Sequence, residues 1–117
     1  MGAPTLTLRP GRLSDDDLCQ IWSGTVRLAL DGDAVAVMER SAAVVQRIAD
    51  TGRAAYGINT GFGKRAHKRI ADDDLELLQT NLILSHAVGV GEPLPDAVVR
   101  VVMATKIASL ARGYSGI

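Results

Sequence analysis

The chain has 117 residues, of which 47% are hydrophobic, and this length and composition predict one folded domain rather than a disordered tail. Thirteen basic and thirteen acidic side chains give no formal net charge, so we expect neither a nucleic acid nor a membrane surface as partner. Cys19 is the single cysteine. It therefore forms no internal disulfide and no site of several cysteine ligands, and a lone thiol is typical of the cytoplasm.

The first elements in chain order are a strand and a short helix. The segment TLTLRPG, residues 5–11, alternates before a Pro-Gly pair and predicts a strand that ends in a turn. Ser14 and Asp17 have the spacing of a capping box, so a helix is expected to follow. It should run to about Trp22 and end near Gly24.

A longer helix is predicted next. The segment VRLALDGD, residues 26–33, reads as extended, and Asp31 to Asp33 then supply a turn and a helix cap. Gly52 fits the C-terminal end of this helix. Its apolar face is predicted from side chains spaced three and four apart, namely Ala34, Val37, Ser41, Val44, Val45 and Ile48.

Two further helices are predicted, one from the aspartates at 72–74 and one from about Pro95-Asp96 toward Arg112-Gly113. Their apolar stripes are Leu75, Leu78, Leu82 and His86 in the first, and Val98, Val101, Val102, Thr105 and Ala108 in the second. The pattern is therefore mainly α. Apolar faces this wide normally pack against further helices, so we expect the front piece of a longer polypeptide; a small independent helical domain is the alternative.

The loop AYGINTGFGKRAH, residues 55–67, is rich in glycine. Gly57, Gly61 and Gly63 can adopt positive φ, and Asn59 tolerates it better than most residues, so the loop could approach a ligand closely or swing as a lid. The glycine spacing is not G-x-G-x-x-G, and GFGK lacks the remainder of a P-loop. We therefore expect no nucleotide site.

Two side chains are candidates for chemistry. Tyr56 precedes the glycines, where amide dipoles could tune a phenol for acid-base work, although a ring that packs at a helix end with a hydrogen-bonded hydroxyl is the simpler interpretation. His86 continues a leucine stripe and would lie either in the core or in a pocket.

The other polar features favour solvent-exposed roles. His67 lies in a charged segment, and neither histidine has a second ligand at metal-binding spacing, so a zinc site is not expected. The basic residues of KRAHKRIADDDLE are followed by acids that cancel their field beyond about 10 Å. This segment is interpreted as a solvated loop that leads into a helix.

Three blocks of the sequence carry a resemblance to a known family, namely YGINTGFG, LQTNLILSHAVGVGEPL and KIASLARGYSGI. Together they resemble the N-terminal part of the histidine ammonia-lyases, which belong with the phenylalanine and tyrosine ammonia-lyases and the related aminomutases. They occur in the order and at the spacing of that family, and the resemblance extends from about Thr5 to the end. It implies that residues 1–117 are the N-terminal portion of a mostly helical catalytic chain that forms a homotetramer.

The resemblance also implies a prosthetic group. These lyases use an electrophilic methylidene-imidazolone (MIO) group, formed from an Ala-Ser-Gly tripeptide, and no metal is implied. This tripeptide does not occur in the 117 residues. In the family it lies shortly beyond the SGI block, so we expect the chain to stop before its own electrophile and the fragment alone to be inactive.

Two site residues are implied by the resemblance. Tyr56 matches the tyrosine of a mobile loop that takes part in proton transfer, and His86 matches a position that helps select the substrate side chain. Ser85-His86 is the histidine-lyase pattern, so the implied reaction converts L-histidine to trans-urocanate and ammonia. A tyrosine or phenylalanine lyase or an aminomutase is an alternative, and a non-catalytic helical interaction module is another.

Overall fold

A computed structural model describes residues 2–116 of the chain, and these residues are mainly helical. The elements are β1 (Thr5–Leu8), α1 (Asp15–Ser23), β2 (Arg27–Leu30), α2 (Gly32–Thr51), α3 (Leu75–His86) and α4 (Asp96–Leu110). Short 3-10 helices occupy Gly63–Arg65 and Asp72–Asp74. The predicted mainly α class, with a short strand near the start, is therefore confirmed.

The chain divides into two compact units. The first unit contains β1, α1, β2, the start of α2 and α4, whereas the second is Val44–Glu92 and contains the end of α2, the glycine-rich loop and α3. In neither unit does a described helix have both the length and the apolar character needed to cross a membrane.

The two strands of the first unit form a parallel pair. Thr5 lies opposite Arg27 and Leu8 lies opposite Leu30. A tight hairpin turn cannot join parallel strands, so the connection must cross over, and α1 supplies that crossover. The sequence predicted both extended segments but not their pairing.

Helix α1 has both predicted ends. The Ser14 hydroxyl accepts a hydrogen bond from the Asp17 amide at 3.2 Å, and the Asp17 carboxylate accepts one from the Ser14 amide at 2.9 Å. The backbone bond from Ser14, followed by its side-chain bond, favours the charged carboxylate and lowers the pKa of Asp17 below its ordinary value. Gly24 ends the helix with φ 71°.

Arg100 on α4 binds the C-terminal end of α1. Its Nε donates to the Ile21 carbonyl at 3.2 Å, and its Nη2 donates to the Trp22 carbonyl at 2.7 Å. The last carbonyls of a helix lack partners within the helix. Arg100 gives the Trp22 carbonyl a partner and adds a second donor to the Ile21 carbonyl, which also accepts from the Gly24 amide at 3.1 Å. It thereby connects α4 to α1.

The core of the first unit is centred on Leu8, Ile21 and Ala104. The apolar stripe predicted for α4 was expected to be its buried face. That prediction is confirmed for Ala108, which is buried, but is wrong for Val102 and Thr105, which are exposed. Ala104, with no exposed surface, was missed. Small side chains allow helices to pack closely, and α4 is apolar on most of its circumference, so hydrophobic spacing alone does not select the buried face.

Helix α2 begins and ends where the sequence predicted. Asp31 caps it, since its carboxylate accepts a hydrogen bond from the Asp33 amide at 3.0 Å. Gly52, with φ 66°, ends it. Along the predicted apolar face Ala34 is buried, Val44 is exposed, and the other positions are partly buried.

The contrast between two leucines of the parallel pair tests the core. Leu8 is 1% exposed and Leu28 is 41% exposed. We expect Leu8→Ala to lower the free energy of unfolding by about 2–5 kcal/mol, because it leaves a cavity in the core. Leu28→Ala deletes the same atoms from a strand position open to solvent and should cost much less. Urea unfolding followed by circular dichroism measures both, and equal losses would contradict the assigned core.

Candidate functional site

The glycine-rich loop of the second unit is closed at its base by Asn59. Its carboxamide oxygen accepts a hydrogen bond from the Ala55 amide at 2.8 Å, and its Nδ2 donates to the Arg53 carbonyl at 2.9 Å. Its own backbone amide donates to the Ala55 carbonyl at 3.2 Å, and its carbonyl accepts from the Ile70 amide at 2.9 Å. One residue thus joins both ends of the loop.

Neighbouring backbone bonds extend this closure. Thr60 pairs with Arg69 in an isolated antiparallel bridge, and the Gly61 amide donates to the Lys68 carbonyl at 3.0 Å. Asn59 and Thr60 are buried, with at most 1% of their surface exposed. The base of the loop is therefore packed and hydrogen-bonded, which the glycine content alone did not predict.

Two different constraints favour glycine at these three loop positions, namely positive φ and close approach of the backbone. Gly57 and Gly63 adopt positive φ, at 79° and 57°, as the sequence suggested. Gly61 does not need positive φ, but a Cβ there would lie 2.8 Å from the Arg65 carbonyl oxygen. The backbone of Asn59 is not in the left-handed region either. Asn59 stabilises the loop through the hydrogen bonds of its side chain instead.

Tyr56 lies on the outer part of this loop, and 66% of its surface is exposed. Its ring meets Phe62 edge to face, with the ring centroids 5.8 Å apart and the planes at 79°. Such a contact orients the ring. Tyr56 is thus held by one ring contact and is otherwise largely exposed, rather than buried at a helix end.

A hydrogen bond connects the tyrosine loop to α3. Gln79 Nε2 donates to the Gly57 carbonyl at 3.2 Å, next to Tyr56 in the chain. His86 follows Gln79 by seven residues, or two helical turns, which places it on the same face of α3 about 10 Å further along. The fold thus brings the tyrosine loop onto the helix that carries His86.

His86 is exposed and ends α3. Its Nδ1 lies 2.8 Å from the Leu82 carbonyl oxygen and 3.1 Å from Ser85 Oγ. A carbonyl oxygen only accepts, so we assign the proton of the neutral ring to Nδ1. Nε2 then presents a lone pair to solvent. The predicted leucine stripe is half-buried up to Leu82, whereas His86, for which the stripe left both the core and a pocket open, is exposed, and its ring lies against its own helix.

The remaining candidate groups are exposed. His67 and the basic side chains around it are open to solvent, as expected. Among the described side chains, three or more His, Cys, Asp or Glu residues nowhere come together as they would around a metal ion.

Three contributors to this site were missed from the sequence: the side-chain role of Asn59, the ring contact of Phe62 and the hydrogen bond of Gln79. Only Gln79 carried a usable signal. It lies two turns before His86, and residues seven apart share a helix face. The partners of Asn59 and Phe62 depend on how the loop folds, which spacing does not reveal.

The close approach at Gly61 gives a test of the loop. We expect Gly61→Ala to displace the chain at Arg65, because the new methyl group would overlap a backbone carbonyl. The Gly61 to Ile70 segment should then exchange its amide hydrogens faster. Gly32→Ala is the control, since a Cβ at Gly32 meets nothing within 4 Å. Hydrogen exchange read by mass spectrometry checks both, and unchanged exchange in Gly61→Ala would refute the steric argument.

Comparison with known sequences identifies close relatives. The aromatic amino acid lyase family matches residues 13–117. The chain is 58% identical over 114 residues to a histidine ammonia-lyase from Paracidovorax citrulli and 57% identical over 113 residues to one from Salmonella typhimurium. These matches cover 97% of the chain, which spans only 22% of the length of each relative.

Solved structures of related enzymes have the same fold as the chain over nearly its whole length. An ergothionase from Treponema denticola superposes with a TM-score of 0.89 at 26% identity, over 97% of this chain and 23% of that one. A tyrosine aminomutase from Streptomyces globisporus superposes with a TM-score of 0.87 at 24% identity, over 97% and 22%, and supports the fold alone. By its sequence and by its fold, the chain belongs to the aromatic amino acid lyase family.

Proposed function

We propose that the chain is the N-terminal portion of an ammonia-lyase that eliminates ammonia from L-histidine to give trans-urocanate, the first step of histidine breakdown. The observation that carries this proposal is the 58% identity to a histidine ammonia-lyase over 97% of the chain. The open Tyr56 and His86 support it, since both lie in the second unit on elements joined by the Gln79 hydrogen bond.

His86 accounts for the choice of substrate. With its proton on Nδ1, its exposed Nε2 can accept a hydrogen bond, and the neutral imidazole of L-histidine carries one N–H that can donate it. A phenylalanine ring has no such donor and would leave Nε2 unpaired when the site closes. This is the feature that favours a histidine lyase over a phenylalanine lyase.

Tyr56 accounts for proton movement. The β-proton of an amino acid is weakly acidic, so its removal needs a positioned base and exclusion of water. The Phe62 contact orients the Tyr56 ring, and the exposed side of the ring faces outward, where a substrate can reach it. We therefore propose that the Tyr56 oxygen carries the proton that leaves the substrate.

The MIO group implied by the resemblance does not form from the residues described above, because they include no Ala-Ser-Gly tripeptide. When present, this electrophile would make the amino group of the substrate a better leaving group. In this proposal the tripeptide belongs to a part of the polypeptide that these 117 residues do not include.

We also propose a homotetramer in the cytoplasm. Several large apolar side chains of α3 remain exposed in the second unit, among them Leu77, Ile83 and Leu84. Such surface normally becomes buried against further protein.

The proposed compartment rests on the single cysteine. Cys19 is an exposed free thiol, which suits a reducing compartment.

The first test is Tyr56→Phe in the full-length enzyme. It removes the oxygen but keeps the ring on Phe62, so kcat for L-histidine should fall by at least about 10²-fold. Tyr114→Phe is the matched control, because it deletes the hydroxyl of the other tyrosine. Urocanate absorbance in the near ultraviolet measures the rate, and an undiminished rate in Tyr56→Phe would disprove the assignment.

The second test concerns selectivity. His86→Leu removes the acceptor for the substrate imidazole, so kcat/KM for L-histidine should fall by about 10- to 100-fold. The rate on L-phenylalanine should fall less or rise. His67→Leu serves as control, because His67 is exposed in a charged segment. If kcat/KM in His86→Leu fell equally for L-histidine and L-phenylalanine, His86 would not discriminate between the two substrate side chains.

A further inference from the structure

We infer that Asn59 is a positioning residue for Tyr56. Its carboxamide fixes the backbone turn on which the tyrosine is carried. This inference rests on the proposed function only in that Tyr56 is taken to move the proton; the turn itself is a property of the fold.

The first argument is the burial of the carboxamide. Asn59 has no exposed surface, and a buried amide without partners is costly. Both ends of its carboxamide are bound, the oxygen by the Ala55 amide and the nitrogen by the Arg53 carbonyl. Among the described residues no buried side-chain nitrogen or oxygen lacks a partner. The side chain therefore has one preferred orientation.

The second argument is the position of Tyr56 within the turn. Only Tyr56, Gly57 and Ile58 separate Ala55 from Asn59, and Ala55 is bound to Asn59 through both its amide and its carbonyl. The start of the three-residue segment is thus tied to its end. The Ile58 amide also donates to the Ala55 carbonyl, at 3.1 Å, and the Phe62 ring contacts the Tyr56 ring. Since Gly57 has positive φ and no side chain, the hydrogen bonds of Asn59 add to these contacts in restricting the direction of the Tyr56 Cα–Cβ bond.

The third argument is that the closure reaches the far end of the loop. The Asn59 carbonyl accepts from the Ile70 amide, while the adjacent Thr60 pairs with Arg69. The turn that carries Tyr56 is therefore anchored to the far end of the loop, at Ile70, as well as to Arg53 before it.

The test is a double-mutant cycle in the full-length enzyme, with kcat for L-histidine as the readout. Asn59→Ala should lower kcat by about 10²-fold, since a displacement near 1 Å has an effect of that size. In the Tyr56→Phe background the same substitution should lower kcat by less than 3-fold, because there is no longer a hydroxyl to misplace. Gln46→Ala, which removes an exposed amide bound to Asp50 within α2, is the matched control.

Hydrogen exchange at Ala55 gives a readout that does not need activity. In Asn59→Ala its amide should lose protection while the thermal midpoint shows that the enzyme remains folded. If Asn59→Ala does not fold, Asn59→Asp replaces it in the double-mutant cycle and not in the exchange measurement, since Asp keeps the acceptor for the Ala55 amide and loses the donor to the Arg53 carbonyl.

The outcomes separate this inference from the proposed function. Equal losses from Asn59→Ala in both backgrounds, or unchanged exchange at Ala55, would overturn the positioning role while a large loss in Tyr56→Phe leaves the proposed function standing. An unchanged kcat for L-histidine in Tyr56→Phe would instead refute the function assigned to Tyr56. This holds whether or not the Ala55 amide loses its protection from exchange in Asn59→Ala.

Discussion

A buried amide must have hydrogen-bond partners, and this constraint organises the second unit of the chain. Asn59 lies in a stretch that contains three glycines, where the backbone has unusual freedom. Its side chain removes that freedom by binding Arg53 and Ala55, and its backbone binds Ile70. The loop therefore combines a fixed base with an accessible tyrosine. Gln79 then relates this base to α3 and so to His86.

Features that depend on a few neighbouring residues could be predicted from the sequence. The Ser14–Asp17 capping box and the glycine ends of α1 and α2 were correct, because caps are satisfied within one helical turn. The resemblance to the lyase family was also confirmed, since the aromatic amino acid lyase family matches residues 13–117.

Features that depend on tertiary contacts could not be predicted. The parallel pairing of β1 with β2, the buried face of α4 and the exposure of His86 all follow from which surfaces meet. In α4 nearly every face is apolar, so the small side chain of Ala104 could not be told from its larger neighbours by spacing. The role of Asn59 was missed for a related reason: its partners are defined only once the loop has closed.

The contact between α4 and α1 has a consequence for synthesis. Leu8 and Ile21 lie near the start of the chain, but Ala104 and Arg100, which complete their packing and cap α1, come nearly eighty residues or more later. Contacts of such large sequence separation form slowly. During translation β1, α1 and β2 therefore emerge with an apolar side uncovered and must wait several seconds for α4, at about 5–20 residues per second. Over that interval the uncovered apolar side makes the nascent segment prone to aggregation.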